Sequence, residues 1–307
     1  MIGAGIISGC HLAAVASHPK TQLVAVADLS EDRATKAAKP YGASVYTDYH
    51  QMLAQEQLDA VIINLPHGLH EACALECAEH GLHMLMEKPM SVSGASCRRI
   101  LHACEKHRVL LQVGHIQRYR PENRAARAII DSGELGQLVM ISDLSTIDYF
   151  VPERPDWFLK KELAGGGISL NYGVHALDRF HYLSQSPLRS ITGVCTCWNP
   201  ESDVDGSAQF FAQAENGVSC SVTICGYPCK QEDVTMIYCT KGSMRLRANR
   251  DLYRTINGEY HAVDFSEYPP MFEAQWADFV EGLEIGQVLH NSGRKAMAYV
   301  NAIEAIW

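Results

Sequence analysis

The sequence predicts an α/β chain, with an N-terminal doubly wound parallel sheet followed by an α+β half built on a largely antiparallel open sheet. Three observations carry this. Apolar runs alternate with amphipathic stretches up to about residue 117, the polar/apolar period then shortens to two, and chemistry-bearing residues end successive apolar runs.

Leu23 to Ala27, Ala60 to Ile63, Met84 to Met86 and Leu110 to Val113 are short β-branched or aliphatic runs that read as parallel strands joined by helices. Between the last two, Cys97, Ile100, Leu101 and Cys104 fall at helical spacing behind Ser93, a good capping residue. The runs end in Gly3, Asp28, Asn64 leading into Leu65, Pro66 and His67, Glu87 with Lys88, and His115. Ligands of open α/β sheets gather at the carboxyl ends of strands, so these endings trace the rim of a cleft.

In the second half Val218, Cys220, Val222 and Ile224 alternate with Ser219, Ser221 and Thr223 after an Asn216-Gly217 turn signal, and Lys241-Gly242 and Asn257-Gly258 separate further strand-like runs. A nucleotide-binding domain is expected over 1–117 and a second domain over 118–307, whose last helix is a candidate to pack back on the first. A sheet with one small, polar face is either solvated or an interface; a homodimer or homotetramer through that face is expected.

A chain of 307 residues, 47% hydrophobic, has room for two cored domains, and its net charge of -9 argues against nucleic-acid or anionic-membrane partners. No apolar run approaches the roughly 20 residues of a membrane span, and no basic segment leads into a signal-type core, so a cytoplasmic protein is expected. Only Met1 and Ile2 precede the first glycine and the chain stops at Ala305-Ile306-Trp307, which reads as trimming at both ends. The 11 cysteines form neither a disulfide framework nor a paired zinc motif. Cys195 and Cys197 supply two ligands where zinc wants about four, so no metal is expected.

Gly3-Ala4-Gly5-Ile6-Ile7-Ser8 has two glycines of a dinucleotide fingerprint, with Ser8 at the third glycine position. Asp28 follows at the distance where a carboxylate bonds a ribose 2′-hydroxyl and repels a 2′-phosphate, which favours NAD over NADP; a helix-capping turn before Ser30 is its other reading. Glu87-Lys88-Pro89 puts a charged pair at the end of a buried strand. Gly165-Gly166-Gly167 suggests backbone lying close to a ligand or another chain. Asn171 and His175 follow it, four apart on a helix, with Asp178 three further on. His175 alone would read as a core histidine; its company points to a site.

A dinucleotide fingerprint, Glu-Lys-Pro after the fifth strand, and Gly-Gly-Gly followed by Asn171 and His175 together resemble the Gfo/Idh/MocA oxidoreductase family. The likeness extends through Val113 to Pro121 and Arg154-Pro155-Asp156-Trp157. It implies an N-terminal Rossmann domain, a C-terminal domain on a largely antiparallel sheet, and NAD(P)-linked oxidation or reduction of a sugar or cyclitol hydroxyl. By the same resemblance Lys88 matches the catalytic lysine, His175 the catalytic histidine, and Asn171 a position often held by aspartate. Pro66 and His70 match a nucleotide-side loop, and Trp157 a position near substrate. The expected cofactor residues are Gly3, Gly5, Ile6, Ile7, Asp28, Leu65, Pro66, His67, His70, Glu87 and Lys88. The expected substrate residues are Lys88, His115, Arg118, Trp157, Asn171 and His175; Arg118 and Arg120 suit either a substrate carboxylate or phosphate or surface salt bridges to Glu122 or Asp131.

The chemistry suits these residue types. A carbinol releases hydride only as its proton departs, which wants a base near neutrality such as His175, while cationic Lys88 stabilises the developing alkoxide. Two other functions fit the same motifs: a regulatory NAD- and sugar-binding protein without turnover, and a glycosidase that uses NAD transiently.

Overall fold

The computed structural model describes residues 1–307. Up to residue 115 the elements are α1 (Ser8–Ser17), β1 (Ala25–Ala27), α2 (Glu31–Ala38), β2 (Ser44–Tyr46), α3 (Tyr49–Gln55), β3 (Ala60–Ile63), α4 (His70–Glu79), β4 (His83–Met86), α5 (Gly94–His107) and β5 (Leu111–Val113). Then follow α6 (Pro121–Ser132), β6 (Leu138–Thr146), α7 (Lys161–Ala164), a π-helical turn over Ser169–Gly173 and α8 (Val174–Ser184). A run of strands comes next: β7 (Leu188–Thr196), β8 (Ser207–Ala214), β9 (Ser219–Cys225), β10 (Glu232–Cys239), β11 (Gly242–Arg247), β12 (Asp251–Ile256) and β13 (Glu259–Ala262). The chain closes with α9 (Met271–Ile285) and α10 (Gly293–Glu304).

Two compact units result: Met1–His115 with Met271–Met297, and Ile116–Pro270 with Ala298–Trp307. Met271–Met297, expected with the second domain, thus belongs to the first unit. The reason is apolar: Trp276, Phe279 and Val280 of α9 are buried in one cluster with Leu12 and Val15 of α1, and burial of large side chains outweighs position along the chain.

In the first unit β1 pairs with β2 and β3-β4-β5 pair in register, all parallel. Ile2 joins them, bridging Ala27 on one side and Ile63 on the other. Counting that segment as the first strand gives the order 3-2-1-4-5-6 of a dinucleotide-binding sheet, and every expected strand run falls in it. Ser93 caps α5, accepting the Ser96 amide. Asn291 closes the free edge: its main-chain carbonyl accepts the Val113 amide at 2.9 Å and its side-chain amide donates to the His115 carbonyl at 2.6 Å.

The second unit is an eight-stranded sheet of order β13-β12-β11-β10-β6-β9-β8-β7. It is antiparallel except where β6 and β9 pair in parallel. Val218, Cys220, Val222 and Ile224 are buried as the alternation predicts. Helix α8 packs on the covered face against β6, while Phe211, Val194 and Met140 are exposed. Buried Arg179 of α8 ties helix to sheet, donating to Asp143 Oδ2 at 2.9 Å and to Thr235 Oγ1. No helix is long and apolar enough to cross a membrane.

Candidate active site

The glycine loop opens at the end of the Ile2 segment. Gly3 has φ +90° and a Cβ there would stand 2.4 Å from the Asn64 carbonyl oxygen, so only glycine fits between the strand ends. Gly5 is the opposite case: nothing lies within 4 Å of the place its Cβ would occupy. Ile6 and Leu29 are 92% and 90% exposed, while Asn64 Oδ1 is buried with no hydrogen-bond partner. Open backbone at a helix start, uncovered apolar side chains and an unsatisfied oxygen fit a dinucleotide.

Asp28 sets the other side of this cradle. Its Oδ2 accepts the Ala4 amide at 2.8 Å, and its Oδ1 accepts the Ser30 amide at 2.8 Å and Arg33 Nη2 at 2.7 Å. Burial pushes this carboxyl up, but the bonds from Arg33, Ser30 and Ala4 outweigh it and hold the carboxyl below its usual value. Asp28 thus braces the turn into α2 and also presents a carboxylate beside the glycine loop.

At the end of β4, Glu87 is 12% exposed; its Oε1 lies 2.8 Å from His11 Nε2 and its Oε2 accepts the Lys88 amide at 3.1 Å. Burial raises the Glu87 carboxyl, but His11 and Lys88 pull it below the usual carboxylate value. His70 is wholly buried, with Nε2 2.9 Å from the Leu65 carbonyl and Nδ1 3.1 Å from the Pro89 carbonyl. Burial holds its imidazole below the usual value. His70, expected as a cofactor contact, is buried between the Leu65-Pro66 loop and the Glu87-Lys88-Pro89 loop, where the single N–H of a neutral ring donates to one of the main-chain carbonyls it faces. His67 stands edge-on to it, ring centres 6.0 Å apart. His115 is 2% exposed.

In the second unit the π-helical turn carries Asn171 and Tyr172, and His175 follows in the first turn of α8. π-Turns recur at functional sites because they re-aim side chains within a helix. An aromatic row runs from Phe150 through Tyr149 and Tyr172 to His175, with ring centres 5.5, 6.4 and 6.2 Å apart. The Arg154 guanidinium lies 4.0 Å over Tyr149. Burial raises the Tyr149 phenol to about 12, against the pull of Arg154 and the Asn171 amide. Trp157 stacks on Phe158 with centres 3.7 Å apart.

Two of the glycines have local reasons: a Cβ on Gly167 would lie 1.9 Å from the Asp205 carbonyl oxygen, and Gly165, at φ +77°, ends α7. The Asp205 carboxylate accepts the Gly167 and Ser169 amides at 2.6 and 2.7 Å, securing the backbone that leads to Asn171. Arg118, expected to meet substrate, is 7% exposed; Nε donates to Asp178 Oδ1 at 2.8 Å and Nη2 to the Tyr299 hydroxyl at 3.0 Å. It braces α8. Sequence reasoning also missed His11 and Asp205, and gave Arg154 no role of its own. His11 is signalled only by a lone polar residue on the inner face of α1, and Asp205 by nothing local.

A parallel sheet with this strand order, an open glycine loop and a carboxylate beside it define a dinucleotide-binding domain of an oxidoreductase. Family models agree: one described as an oxidoreductase family with an NAD-binding Rossmann fold matches residues 1–115, and a GFO/IDH/MocA C-terminal domain matches 123–245. The chain belongs to the Gfo/Idh/MocA oxidoreductase family. It is 29% identical over 219 residues to a 1-carboxy-3-chloro-3,4-dihydroxycyclohexa-1,5-diene dehydrogenase of Comamonas testosteroni, covering 71% of this chain and 55% of that protein. It is 28% identical over 186 residues to inositol 2-dehydrogenase 2 of Saccharopolyspora erythraea, covering 60% and 52%. The chain thus spans about half the length of these curated relatives. A levoglucosan dehydrogenase solved with NADH and levoglucosan shares the fold at TM-score 0.90 and 20% identity, covering 99% of this chain and 94% of that one.

Proposed function

We propose that the protein transfers a hydride between NAD and a hydroxyl or keto carbon of a sugar, sugar derivative or cyclitol. One observation carries this most: Lys88 stands at the carboxyl end of β4 beside a buried, ionised Glu87, in the unit that holds the Gly3–Gly5 loop and Asp28. A strand end with a lysine next to a dinucleotide cradle is where alkoxide charge is best stabilised.

Gly3, Gly5, Ile6, Ile7, Asp28 and the Leu65–His67 loop would hold the cofactor. NAD, when bound, supplies the hydride acceptor. Lys88 donates a hydrogen bond to the reacting oxygen. His175 takes the hydroxyl proton as the carbinol C–H pair departs and the C=O bond forms, and returns it in reduction. Asn171 orients these partners without adding charge. Tyr172 and Trp157 offer aromatic faces that suit a polyol ring. The activities named for the relatives, on cyclohexadiene diol and inositol rings, support a ring carbinol as substrate class.

We also assign the exposed sheet face around Val194 and Phe211 to contact between copies of the chain. Half-exposed apolar side chains there support this, and a monomer by sedimentation would contradict it. Nicotinamide absorbance with NAD and with NADP, across sugars, sugar acids and inositols, tests the activity. Turnover with NAD is expected; silence on every substrate despite cofactor binding would overturn it.

A further inference from the structure

Arg154 stands on the loop that leaves β6, in the unit that carries Asn171 and His175. Its guanidinium carbon lies 4.0 Å over the centre of the Tyr149 ring and 5.0 Å over that of Phe158, and its Nε donates to the Tyr149 carbonyl. Tyr149 is fully buried and its own amide donates to the Gly226 carbonyl at 2.8 Å, so the anchor of this guanidinium is fixed to the sheet. Arg118, Arg127 and Arg179 of the same unit each meet a carboxylate. Arg154 meets none. The flanking Glu153 and Asp156 are exposed, Asp205 is occupied by the Gly167 and Ser169 amides, and Asp233 faces Arg179 at 3.2 Å.

We propose that Arg154 selects substrates that carry a carboxylate on a carbon other than the one oxidised, and receives that carboxylate on the Nη edge of its guanidinium. This rests on the ring-carbinol reading given above. With Nε engaged, the two Nη groups remain, and their parallel N–H donors match a planar carboxylate. Aromatic faces exclude water without competing for those donors, so the cation attracts an anion more strongly than it would on an open surface. Arg154 also acts on the Tyr172 phenol, against the upward push of burial. The Tyr172 ring centre is 6.2 Å from that of His175, so one aromatic side chain separates the cation from the proposed base. A ring acid fits such a spacing, with its carboxylate on one carbon and its reacting hydroxyl on another. Arg118 and Arg120, the guanidinium groups that the sequence offered for this task, are instead held by Asp178 at 2.8 Å and Glu122 at 3.3 Å. A guanidinium that only clipped the loop would support folding without telling an acid from a neutral sugar.

The test compares matched pairs on the full chain: D-glucuronate with D-glucose, D-galacturonate with D-galactose, and quinate with myo-inositol, with D-glucose 6-phosphate as the phosphate arm. Both kcat/KM with NAD and equilibrium binding to the NADH-loaded chain are recorded. The parent should favour at least one acid over its neutral partner by about tenfold or more. Arg154→Met should lower kcat/KM for that acid by about tenfold to a hundredfold, mostly through KM, and leave the neutral partner within about threefold. Arg154→Lys, which keeps the charge without the planar fork, should recover only part of the loss. If Arg154→Met does not fold, Arg154→Lys still carries a loss of several-fold confined to the acid. Equal losses on acid and neutral partner in a folded variant, a parent with no preference for acids, or a preference for the phosphate ester over every acid would overturn the proposal. If nothing turns over, acid binding that weakens in Arg154→Met upholds this role while sinking the proposed activity, and binding of no acid at all overturns it.

Discussion

Arg33 grips the same Asp28 oxygen twice, with Nη2 at 2.7 Å and Nε at 3.1 Å from Oδ1, while the other oxygen holds the Ala4 amide at 2.8 Å. The carboxylate that should select a ribose 2′-hydroxyl is therefore kept charged by a guanidinium that could itself meet a 2′-phosphate. Asp28→Ser removes the repulsion and frees Arg33. The ratio of kcat/KM for NADP over NAD should then rise about tenfold to a hundredfold, the worth of one or two charge-assisted hydrogen bonds. A ratio left at the parent value would show that Asp28 serves only the turn.

Two glycines separate binding from folding. At Gly5 an added methyl meets open space, so Gly5→Ala should keep the parent melting temperature and weaken NAD binding by calorimetry. At Gly167 the same methyl would collide with the Asp205 backbone, so Gly167→Ala should lower the melting temperature, at a cost of about 1–3 kcal/mol. Equal melting temperatures for the pair would contradict this assignment.

Arg118 and Asp178 are both buried, and breaking such a pair leaves an uncompensated charge. Arg118→Met should destabilise the fold by about 3–5 kcal/mol in urea unfolding. Removing a guanidinium that met substrate would instead cost affinity for acidic sugars while leaving stability intact.

These outcomes mark what the residues themselves made legible. Strand ends such as Asp28 and Glu87 could be read because apolar runs announce buried strands, and a charged residue at the end of one is out of place. The period-two run through Val222 announced the second sheet for the same reason. Contacts distant in sequence were not legible. Nothing near Gly167 points to Asp205, and nothing near α9 shows that Trp276 packs with Leu12 rather than with the second unit. Arg118 looked like a ligand for substrate because its partner Asp178 lies 60 residues away.

Asn171 carries no charge, so the histidine four residues on lacks the upward pull a carboxylate would give. A base must be neutral to accept a proton, and oxidation should therefore fall off as pH drops through the His175 pKa. In Asn171→Asp that acidic limb of the kcat/KM profile should move up by about one pH unit. Coincident profiles would place Asn171 outside the reach of His175.

The central claim is that Lys88 polarises the oxygen at which hydride is gained or lost, and the direct measurement is Lys88→Ala beside the parent chain, with turnover and NAD affinity recorded on the same preparation. Loss of turnover by about a hundredfold or more, with NAD binding within a few-fold of the parent, is the result expected of a group that stabilises developing charge. Turnover at the parent rate in Lys88→Ala would contradict it.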